Sequence, residues 1–237
     1  MSATRKTAIV TGASQGIGAG LVKAFAERGY GVVANSRSIK AGGSGDVVAI
    51  AGDIADPQTA QRVVGAALDR FGRIDTLVNN AGIFIPKAFV DYTADDFGKM
   101  LSVNLAGFFH ISQKAAAQML RQGSGHIVNI TTTMVEQPLK AVPAALASLT
   151  KGALNAVTRS LAIEYADKGV RVNAVAPGII NTPMHAPETH DYLAGLHPIH
   201  RMGEVREVVD AVLYLETAGF VTGEILHVDG GAHAGHW

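Results

Sequence analysis

The chain has 237 residues, 48% of them hydrophobic, which is enough for one buried core. Lys plus Arg and Asp plus Glu are both 20, so the net charge is zero and indicates neither a nucleic-acid surface nor a membrane-binding segment. The absence of cysteine excludes disulfides and thiol catalysis and is compatible with a cytoplasmic location. No apolar run approaches the ~20 residues of a membrane span, and MSATRKTAIVTG does not predict a signal peptide.

Strands and helices are predicted to alternate along the chain. The apolar run at residues 7–11 predicts a strand, and Ile17, Leu21 and Phe25 then recur at helical spacing. Helices are also predicted at about 56–71, 93–121 and 143–166, the first of them opened by Asp-Pro. The other predicted strands are GVVANS, GDVVAIAGD, DTLVNNAG, GHIVNITT, VRVNAVAPG and EILHVDGG.

This alternation, with continuous apolar strands, predicts an α/β protein with a doubly wound Rossmann fold. We expect a seven-stranded parallel sheet with helices on both faces. No linker divides residues 1–237, so a single dinucleotide-binding domain is expected. The segment 181–203 fits no sheet element and is rich in His and Pro, so we expect a substrate lid there. The final HAGHW is expected to be a structural tail.

A glycine-rich turn, TGASQGIG at residues 11–18, separates the first strand from the first helix. Gly12, Gly16 and Gly18 let the backbone turn tightly and approach a diphosphate, whose charge the helix N-terminal amides can meet. The spacing differs from the G-x-G-x-x-G fingerprint, so on its own the turn is also compatible with an ordinary strand-to-helix connection. Its position in the first βα unit favours dinucleotide binding.

The order of several motifs resembles that of the short-chain dehydrogenase/reductases over nearly the whole chain. The resemblance implies hydride transfer between a nicotinamide cofactor and a small-molecule substrate. It also implies a homo-oligomer, a dimer or a tetramer, in which helices near 93–121 and 144–166 pair subunits. The motifs are TGASQGIG, NNAG at 79–82, VNLAG at 103–107, IVNITT at 127–132, KGAL at 151–154, VNAVAPGIINTPM at 172–184 and VTG…VDGG at 221–231.

The end of the second predicted strand indicates which cofactor is used. The stretch VVANSRS has no carboxylate to bind the adenosine ribose hydroxyls of NAD. Ser36 and Arg37 stand where a 2′-phosphate would be bound, although a solvated surface arginine is an alternative. We therefore predict NADP, with NAD as the alternative. The other cofactor contacts implied by the resemblance are Gly12, Ser14, Gly16, Ile17, Gly18, Asp53, Ile54, Asn80, Ala81, Gly82, Lys151, Pro177, Gly178, Ile180 and Thr182.

Similar enzymes catalyse with Asn, Ser, Tyr and Lys; the Tyr protonates the carbonyl oxygen and the Lys lowers its pKa. Residue by residue, Asn104 matches the Asn, Lys151 matches the Lys, and Thr132 stands at the Ser position. The Tyr position is Ala147, and MVEQPLKAVPAALASLTK contains no tyrosine that a shifted alignment could use. Tyr165 lies too far along the helix. The usual acid is therefore absent, and Ala147 is expected to leave space for a water or a larger substrate.

Three interpretations of this gap remain open. The enzyme uses another proton donor; or its substrate, such as an iminium or an activated C=C, needs little acid help; or the protein binds NADP(H) with little or no redox activity, in a binding or assembly role. The retained Asn, hydroxyl and Lys favour an NADP(H)-dependent oxidoreductase acting on a carbonyl, an alcohol or an imine-like group. Loose histidine spacing does not indicate a metal site. Candidate donors are Thr132, Thr133, a water relayed from Lys151, His185, His190, Tyr192, His197 and His200.

Overall fold

A computed structural model describes residues 5–42 and 45–235, so the ends of the expected 1–237 domain and of the tail HAGHW lie outside the described residues. Seven strands form one sheet in the order β3-β2-β1-β4-β5-β6-β7, and each adjacent pair is parallel. This confirms the predicted seven-stranded fold. The strands are β1 (Thr7–Thr11), β2 (Gly31–Ser36), β3 (Val47–Ala51), β4 (Thr76–Asn79), β5 (Gly125–Ile130), β6 (Val170–Pro177) and β7 (Ile225–Val228).

Helices cover both faces of the sheet. The α-helices are α1 (Gly16–Glu27), α2 (Pro57–Phe71), α3 (Ala94–Leu101), α4 (Gly107–Gln122), α5 (Ala145–Tyr165), α6 (His190–Ala194) and α7 (Val205–Thr217). Short 3₁₀ turns are found at Phe89–Asp91, Thr133–Val135, Ala166–Lys168, Pro187–Thr189 and Ala232–Ala234. None of the helices in the described residues has the length and apolarity that a bilayer crossing needs.

The two faces of the sheet carry separate apolar clusters, as the alternation of side chains along a strand requires. From β1, Ala8 and Val10 join the cluster that contains residues of α1 and α7. Their neighbour Ile9 points to the opposite face and joins residues of α2, α4 and α5. The strand order reverses between β1 and β4, so their carboxyl ends open a crevice where such folds bind ligands.

Local sequence accounts for the predicted ends of α2. Asp56 caps the helix by accepting the N–H of Gln58 at 2.9 Å, and Pro57 takes the first position, where no N–H is needed. Gly72 ends the helix with φ 77°, a conformation that favours glycine. The prediction of a helix at 56–71 is thus confirmed to within a residue.

The predicted helix at 93–121 is not one continuous α-helix. Helices α3 and α4 are joined by one π-helical segment at Ser102–Ala106, which places Asn104 in a buried position, 2% exposed. A π segment adds a residue to the turn and so changes the direction in which the following side chains point, and such segments are frequent at functional sites. Spacing alone did not predict this interruption.

No helix is predicted at residues 204–217, where α7 lies, although EVREVVDAVLYLET has apolar residues at helical spacing. Its buried residues include Val208, Val212 and Leu215, which recur at helical spacing. Glu204 and Glu207 form a capping box at its start. The preceding segment 181–203 adds no strand to the sheet, in line with the sequence analysis, and only an isolated bridge joins Ile180 to Gly203.

Helix α7 ends in a buried polar cluster at the amino ends of the strands. Glu216 accepts hydrogen bonds from Tyr30 Oη at 3.0 Å, Thr76 Oγ1 at 2.8 Å and His126 Nδ1 at 2.9 Å. Burial lowers the pKa of His126, so a neutral ring donates from Nδ1 while its Nε2 accepts from Asn173 Nδ2 at 3.1 Å. The Glu216 carboxylate therefore links α7 to β4, to β5 and to Tyr30, the residue before β2.

Glu216→Gln tests this cluster. We expect the free energy of unfolding to fall by about 1–3 kcal/mol, because the amide turns one acceptor of the buried donors into a donor. Thermal or urea unfolding measures the change. Glu27→Gln is the matched control, since its ion pair among the described residues, with Lys23, is exposed. Its cost is expected to be below about 0.5 kcal/mol. Equal losses in both variants would contradict a structural role for Glu216.

Candidate active site

Hydrogen bonds between the turns after β1 and β4 shape the crevice. Thr11 Oγ1 accepts the backbone N–H groups of Asn80 at 3.1 Å and Ala81 at 3.0 Å. In return, Asn80 Nδ2 donates to the carbonyl oxygens of Thr11 at 3.0 Å and Gly12 at 3.1 Å. Gly12 has φ +65°, and a Cβ there would lie 2.8 Å from Ala81 Cα, so only glycine fits against the second turn.

The start of α1 is open to a ligand. A Cβ on Gly18 would lie 2.2 Å from the carbonyl oxygen of Gly12, so the helix can approach the strand this closely only with glycine. The N-cap residue, Gln15, makes no side-chain capping hydrogen bond. The first amides of α1 therefore remain available to an anion, and the helix dipole favours one there.

A cavity of about 300 Å³ extends along these turns. The predicted cofactor residues that line it are Gly12, Ser14, Gly16, Ile17, Ser36, Arg37, Asp53, Ile54, Asn80, Ala81, Gly82 and Thr182. Seven further residues, which are not among the predicted contacts, also line it: Gln15, Asn35, Ser38, Gly52, Ile83, Val103 and Met184. Most of these missed residues are direct neighbours of predicted ones, so extending each motif by a residue would have found them.

Five predicted cofactor residues do not line this cavity: Gly18, Lys151, Pro177, Gly178 and Ile180. Gly18 instead forms the helix–strand contact. Gly178 follows β6, and a Cβ there would lie 2.6 Å from His197 Nε2. The side chain of Ile180 is 4% exposed and belongs to the core on the α1 face.

One end of the cavity is positively charged. Arg37 is exposed at the end of β2, and within residues 5–42 and 45–235 it forms no ion pair with a carboxylate. Ser38 Oγ donates to Ser14 Oγ at 3.2 Å and so joins this end to the glycine-rich turn. Ser36 Oγ accepts the N–H of Ile39 at 3.0 Å. The guanidinium is therefore free to bind an anionic group.

Gly82, which lines the cavity, lies beside the side chains of Asn104 and Lys151. A Cβ at Gly82 would lie 3.0 Å from Lys151 Nζ and 3.3 Å from Asn104 Oδ1. Asn104 exchanges two hydrogen bonds with the backbone of Ile83, at 2.9 and 3.1 Å, and donates to Thr150 Oγ1 at 3.1 Å. These bonds hold the amide rigidly beside the ammonium.

Lys151 links α5 to the end of β5. Its Nζ donates to the carbonyl oxygen of Ile130 at 2.7 Å, and burial lowers its pKa to about 8. Thr132 lies two residues after Ile130 and is half-buried. Its Oγ1 accepts the N–H of Met134 at 3.3 Å. The structure thus gathers Asn104, Thr132 and Lys151 around the carboxyl ends of β4 and β5.

The Ala147 side chain is enclosed by apolar neighbours. Ala147 is 2% exposed and belongs to an apolar cluster with Met100, Met134, Ala144 and Leu146. The methyl group itself is therefore not open to solvent, and the space expected beside it for a water or a larger substrate stays a prediction. A missing side chain creates a void only where its neighbours cannot close over it.

Two of the alternative proton donors already have structural partners. Thr133 is buried and donates to Asp229 Oδ2 at 2.6 Å. His197 is 3% exposed, its pKa is lowered by burial, and its Nε2 accepts the N–H of Ile179 at 3.0 Å. These groups hold the loops after β5 and β6 in place.

The remaining candidate donors lie on the segment 181–203. Burial lowers the pKa of half-buried His185. His190 Nε2 donates to the backbone carbonyl oxygen of His185 at 3.3 Å. Tyr192 is 57% exposed, and His200 is exposed with φ 54°. No hydrogen bond between described residues joins these side chains to Lys151. Across the same described ranges, no three His, Cys, Asp or Glu side chains are grouped to hold a metal ion.

The crevice at the reversal of strand order, the open helix start and the adjoining ammonium define a dinucleotide-binding protein of the Rossmann type. A protein-family model described as enoyl-(acyl carrier protein) reductase matches residues 12–233. An uncharacterized oxidoreductase of Thermotoga maritima is 37% identical over 97% of this chain and 98% of its own length. The 3-oxoacyl-[acyl-carrier-protein] reductase FabG of Staphylococcus aureus is 35% identical over 96% of this chain and 98% of its own.

A solved structure described as ElxO with NADP bound is also similar, with a TM-score of 0.90 and 29% identity, covering 98% of this chain and 100% of that chain. The protein belongs to the short-chain dehydrogenase/reductase family and is an NAD(P)-dependent oxidoreductase of carbonyl or alcohol substrates.

Gly18→Ala tests the helix–strand contact in the crevice. We expect nucleotide binding to fall below detection and the free energy of unfolding to drop by about 1–3 kcal/mol, because the new methyl group must displace the carbonyl of Gly12. Fluorescence titration with NADPH and urea unfolding measure the two effects. Gly65→Ala in α2 is the control, since a Cβ there meets nothing within 4 Å. Unchanged NADPH affinity in Gly18→Ala would contradict this geometry.

Proposed function

We propose that the protein transfers hydride between NADP(H) and a carbonyl, alcohol or imine-like carbon, with a proton donor other than tyrosine. The observation that carries this proposal is the meeting of Lys151 and Asn104 at Gly82, where the nucleotide cavity ends. The bound nicotinamide would supply the hydride. The protein's own residues would orient the substrate oxygen and provide a proton.

The residues of the crevice fit a dinucleotide. The amides of Gly16, Ile17 and Gly18 would bind the diphosphate. Arg37 and Ser36, at the far end of the cavity, would bind the 2′-phosphate of NADP. Lys151 Nζ would hold the ribose of the nicotinamide half. NAD remains the alternative cofactor, and it would leave Arg37 as a solvated surface residue.

Arg37→Leu distinguishes the two cofactors. We expect the dissociation constant for NADPH to rise roughly 10- to 100-fold, as the loss of a charge-assisted hydrogen bond requires. The dissociation constant for NADH should change by less than about threefold, because NADH has no 2′-phosphate. Lys40→Leu is the control, an exposed cation that does not line the cavity. Unchanged dissociation constants for both nucleotides in Arg37→Leu would favour NAD, whose ribose hydroxyls would leave Arg37 solvated.

The proton donor follows from the contacts of the candidate groups. Thr133 already donates to Asp229, whereas Lys151 Nζ bonds to the carbonyl of Ile130, two residues before Thr132, so the Thr132 hydroxyl and Lys151 are the donors that we propose. We propose that, as hydride reaches the carbonyl carbon, the electron pair of the C=O π bond moves to oxygen. That oxygen then takes a proton from the Lys151 ammonium, directly or through Thr132 or a water. Solvent returns a proton to the amine.

The lowered pKa of Lys151 makes this role accessible near neutral pH. Within residues 5–42 and 45–235, Lys151 Nζ donates one hydrogen bond, to Ile130, so its two other N–H groups can face a substrate oxygen or a water. A general acid is most effective when its pKa is close to the working pH. In the family, the matching Lys acts through a tyrosine; here Ala147 stands at that position, so the ammonium would itself be the acid.

The pH dependence of kcat/KM for carbonyl reduction tests the acid. The ammonium form prevails below a pKa of about 8. We expect the rate to be level below that pH and to fall about tenfold for each pH unit above it. Lys151→Met should remove this dependence and lower the rate by roughly 10²- to 10⁴-fold. A wild-type profile that is flat to pH 9.5 would contradict Lys151 as the proton source.

Ala147→Tyr tests whether the usual acid can simply be restored. Because Ala147 is enclosed by an apolar cluster, we expect overpacking to cost about 1–3 kcal/mol of stability without raising turnover. Urea unfolding and NADPH oxidation assays measure both quantities. A large gain in turnover at unchanged stability would show that the cluster admits a phenol.

The second candidate function is a nucleotide-binding protein with little or no redox activity. It is favoured by the same enclosed Ala147, which leaves the family's tyrosine position without a hydroxyl. Stoichiometric NADPH binding, with no oxidation of NADPH across aldehydes, ketones, imines and enones, would support it over the enzyme. Turnover that depends on Lys151 and Thr132 would exclude it.

We further propose a single domain whose segment 181–203 acts as a lid, because Thr182 and Met184 at its start already line the nucleotide cavity. We also propose a homo-oligomer paired through α4 and α5. Exposed Phe109, Leu149 and Ile163 on these helices support that pairing.

A further inference from the structure

His197 is buried where the carboxyl ends of β6 and β7 lie side by side. It belongs to the segment 181–203, yet it is only 3% exposed. Gly178 directly follows β6, and a Cβ there would lie 2.6 Å from His197 Nε2. Gly230 lies two residues after β7, and a Cβ there would lie 3.6 Å from His197 Cβ. The imidazole therefore occupies space that the absence of a side chain at Gly178 leaves free.

The buried ring accepts a hydrogen bond from the backbone. Ile179 N–H donates to His197 Nε2 at 3.0 Å. A histidine ring nitrogen accepts a hydrogen bond only when it carries no proton, so the ring is neutral and its single proton is on Nδ1. A second proton would be placed on Nε2, where it would face the Ile179 N–H. This hydrogen bond therefore exists only while the ring is neutral.

The surroundings of His197 favour the neutral ring. Burial lowers its pKa and outweighs the backbone of Leu193 and the charge of Asp229, which act in the opposite direction. Among the described residues, the charged groups that face the ring are Asp229, which follows β7, and Arg201, whose charge also lowers the pKa. The bond to Ile179 is therefore intact at neutral pH. It is lost as the pH falls below the ordinary histidine range and through the lowered pKa of the folded protein.

The bonded residue belongs to the turn that leads from β6 into the segment 181–203. The carbonyl of Ile179 accepts the N–H of Gly203 at 2.9 Å, and Asn181 N–H donates to the carbonyl of Gly203 at 2.8 Å. The turn is thus held by the backbone at Gly203 and by the side chain of His197. Of these contacts, only the one to His197 depends on a titratable group.

The same turn carries a residue of the nucleotide site. Thr182, three residues after Ile179, lines the nucleotide cavity. Its Cγ2 lies 3.2 Å from the position that a Cβ would take at Gly16, the first residue of α1. Thr182 is therefore in place beside the helix start that would bind the diphosphate. A turn that moves outward would carry Thr182 away from that helix start.

We infer that His197 is a positioning residue for the nucleotide: its neutral ring holds the turn after β6 in the form that binds NADP(H), and protonation of the ring releases the turn and weakens nucleotide binding below neutral pH. The inference rests on the proposed nucleotide site and not on the proposed proton donor. Linkage is reciprocal, so a nucleotide that binds the neutral form better must oppose protonation of the ring by the same factor.

Imidazole ¹⁵N NMR of the full-length protein measures this linkage. Histidine labelled in the ring is titrated between about pH 8 and 4.5, with and without saturating NADP⁺, and the His197 signals are assigned with His197→Gln. We expect NADP⁺ to lower the titration midpoint of His197 by about one pH unit, which corresponds to a tenfold difference in affinity between the two ring forms. A midpoint that NADP⁺ leaves unchanged would overturn the inference, as would a ring that stays neutral until the protein unfolds.

Two variants of His197 separate the hydrogen bond from the titration. His197→Gln keeps an acceptor at the end of the side chain but cannot be protonated, so its affinity for NADP⁺ at about pH 7.5 should stay within roughly threefold of the wild type. His197→Leu has no acceptor and should bind NADP⁺ roughly tenfold more weakly at the same pH. Calorimetric titration measures these affinities, and far-UV circular dichroism shows that each variant is folded.

The pH dependence provides the deciding comparison. Between about pH 7.5 and 5, the affinity of the wild type should fall about tenfold more than that of His197→Gln. The 2′-phosphate of NADP⁺ also titrates, near a pKa of about 6, but it affects both proteins equally. His110→Gln is the matched control, because His110 lies on α4 and does not line the nucleotide cavity. It should retain the wild-type pH dependence.

The same data separate the possible failures. If the wild type does not bind NADP⁺ at pH 7.5, the proposed nucleotide site fails and this inference fails with it. If the wild type and His197→Gln bind NADP⁺ with the same pH dependence, only the role of His197 is overturned. Because the samples contain no substrate, a failure of the proposed hydride transfer would leave every one of these measurements unaffected.

Discussion

The site depends on the hydrogen-bonded contact between the turns that follow β1 and β4. Thr11 and Asn80 each bind the backbone of the opposite turn, so the two turns cannot move apart independently. The contact holds Gly12 against Ala81 and leaves the first amides of α1 facing the crevice. The same β4 turn leads to Gly82, which lines the nucleotide cavity and lies beside Lys151 Nζ. One set of short-range bonds thus fixes both ends of the proposed hydride-transfer site.

A buried ammonium without a carboxylate partner determines the chemistry that this site can support. Removal from water lowers the pKa of Lys151 to about 8, and no described hydrogen bond joins it to an acidic side chain. In an enzyme with a phenol alongside, such a charge would act on the phenol. With Ala147 enclosed among apolar side chains, the charge can act only on the cofactor ribose, on a water or on the substrate. In the proposed mechanism, the amine with its lowered pKa therefore both positions the cofactor and donates the proton.

Much of the fold could be predicted from the sequence, because parallel strands buried on both faces form continuous apolar runs between helices. Thr7–Thr11 and Pro57–Phe71 match their predicted bounds for this reason. Helix α7 is equally predictable, because Val208, Val212 and Leu215 recur at helical spacing. The π segment around Asn104 has no such signal, since the partners of its buried amide, Ile83 and Thr150, are distant in sequence.

The site was predictable where a motif lies within one turn, as at residues 12–18. Features made by tertiary packing were not predictable. The apolar packing around Ala147 depends on side chains that are distant in sequence. The same holds for the apolar pocket whose lining comes from residues 87–89 and 134–148.

The central claim is that one nucleotide extends from the start of α1 to Lys151. A crystal structure of the NADPH complex tests it most directly. The account predicts diphosphate density on the amides of residues 16–18, with the nicotinamide ribose within hydrogen-bond distance of Lys151 Nζ. Nucleotide density in another part of the protein, or a nicotinamide half directed away from Lys151, would contradict it.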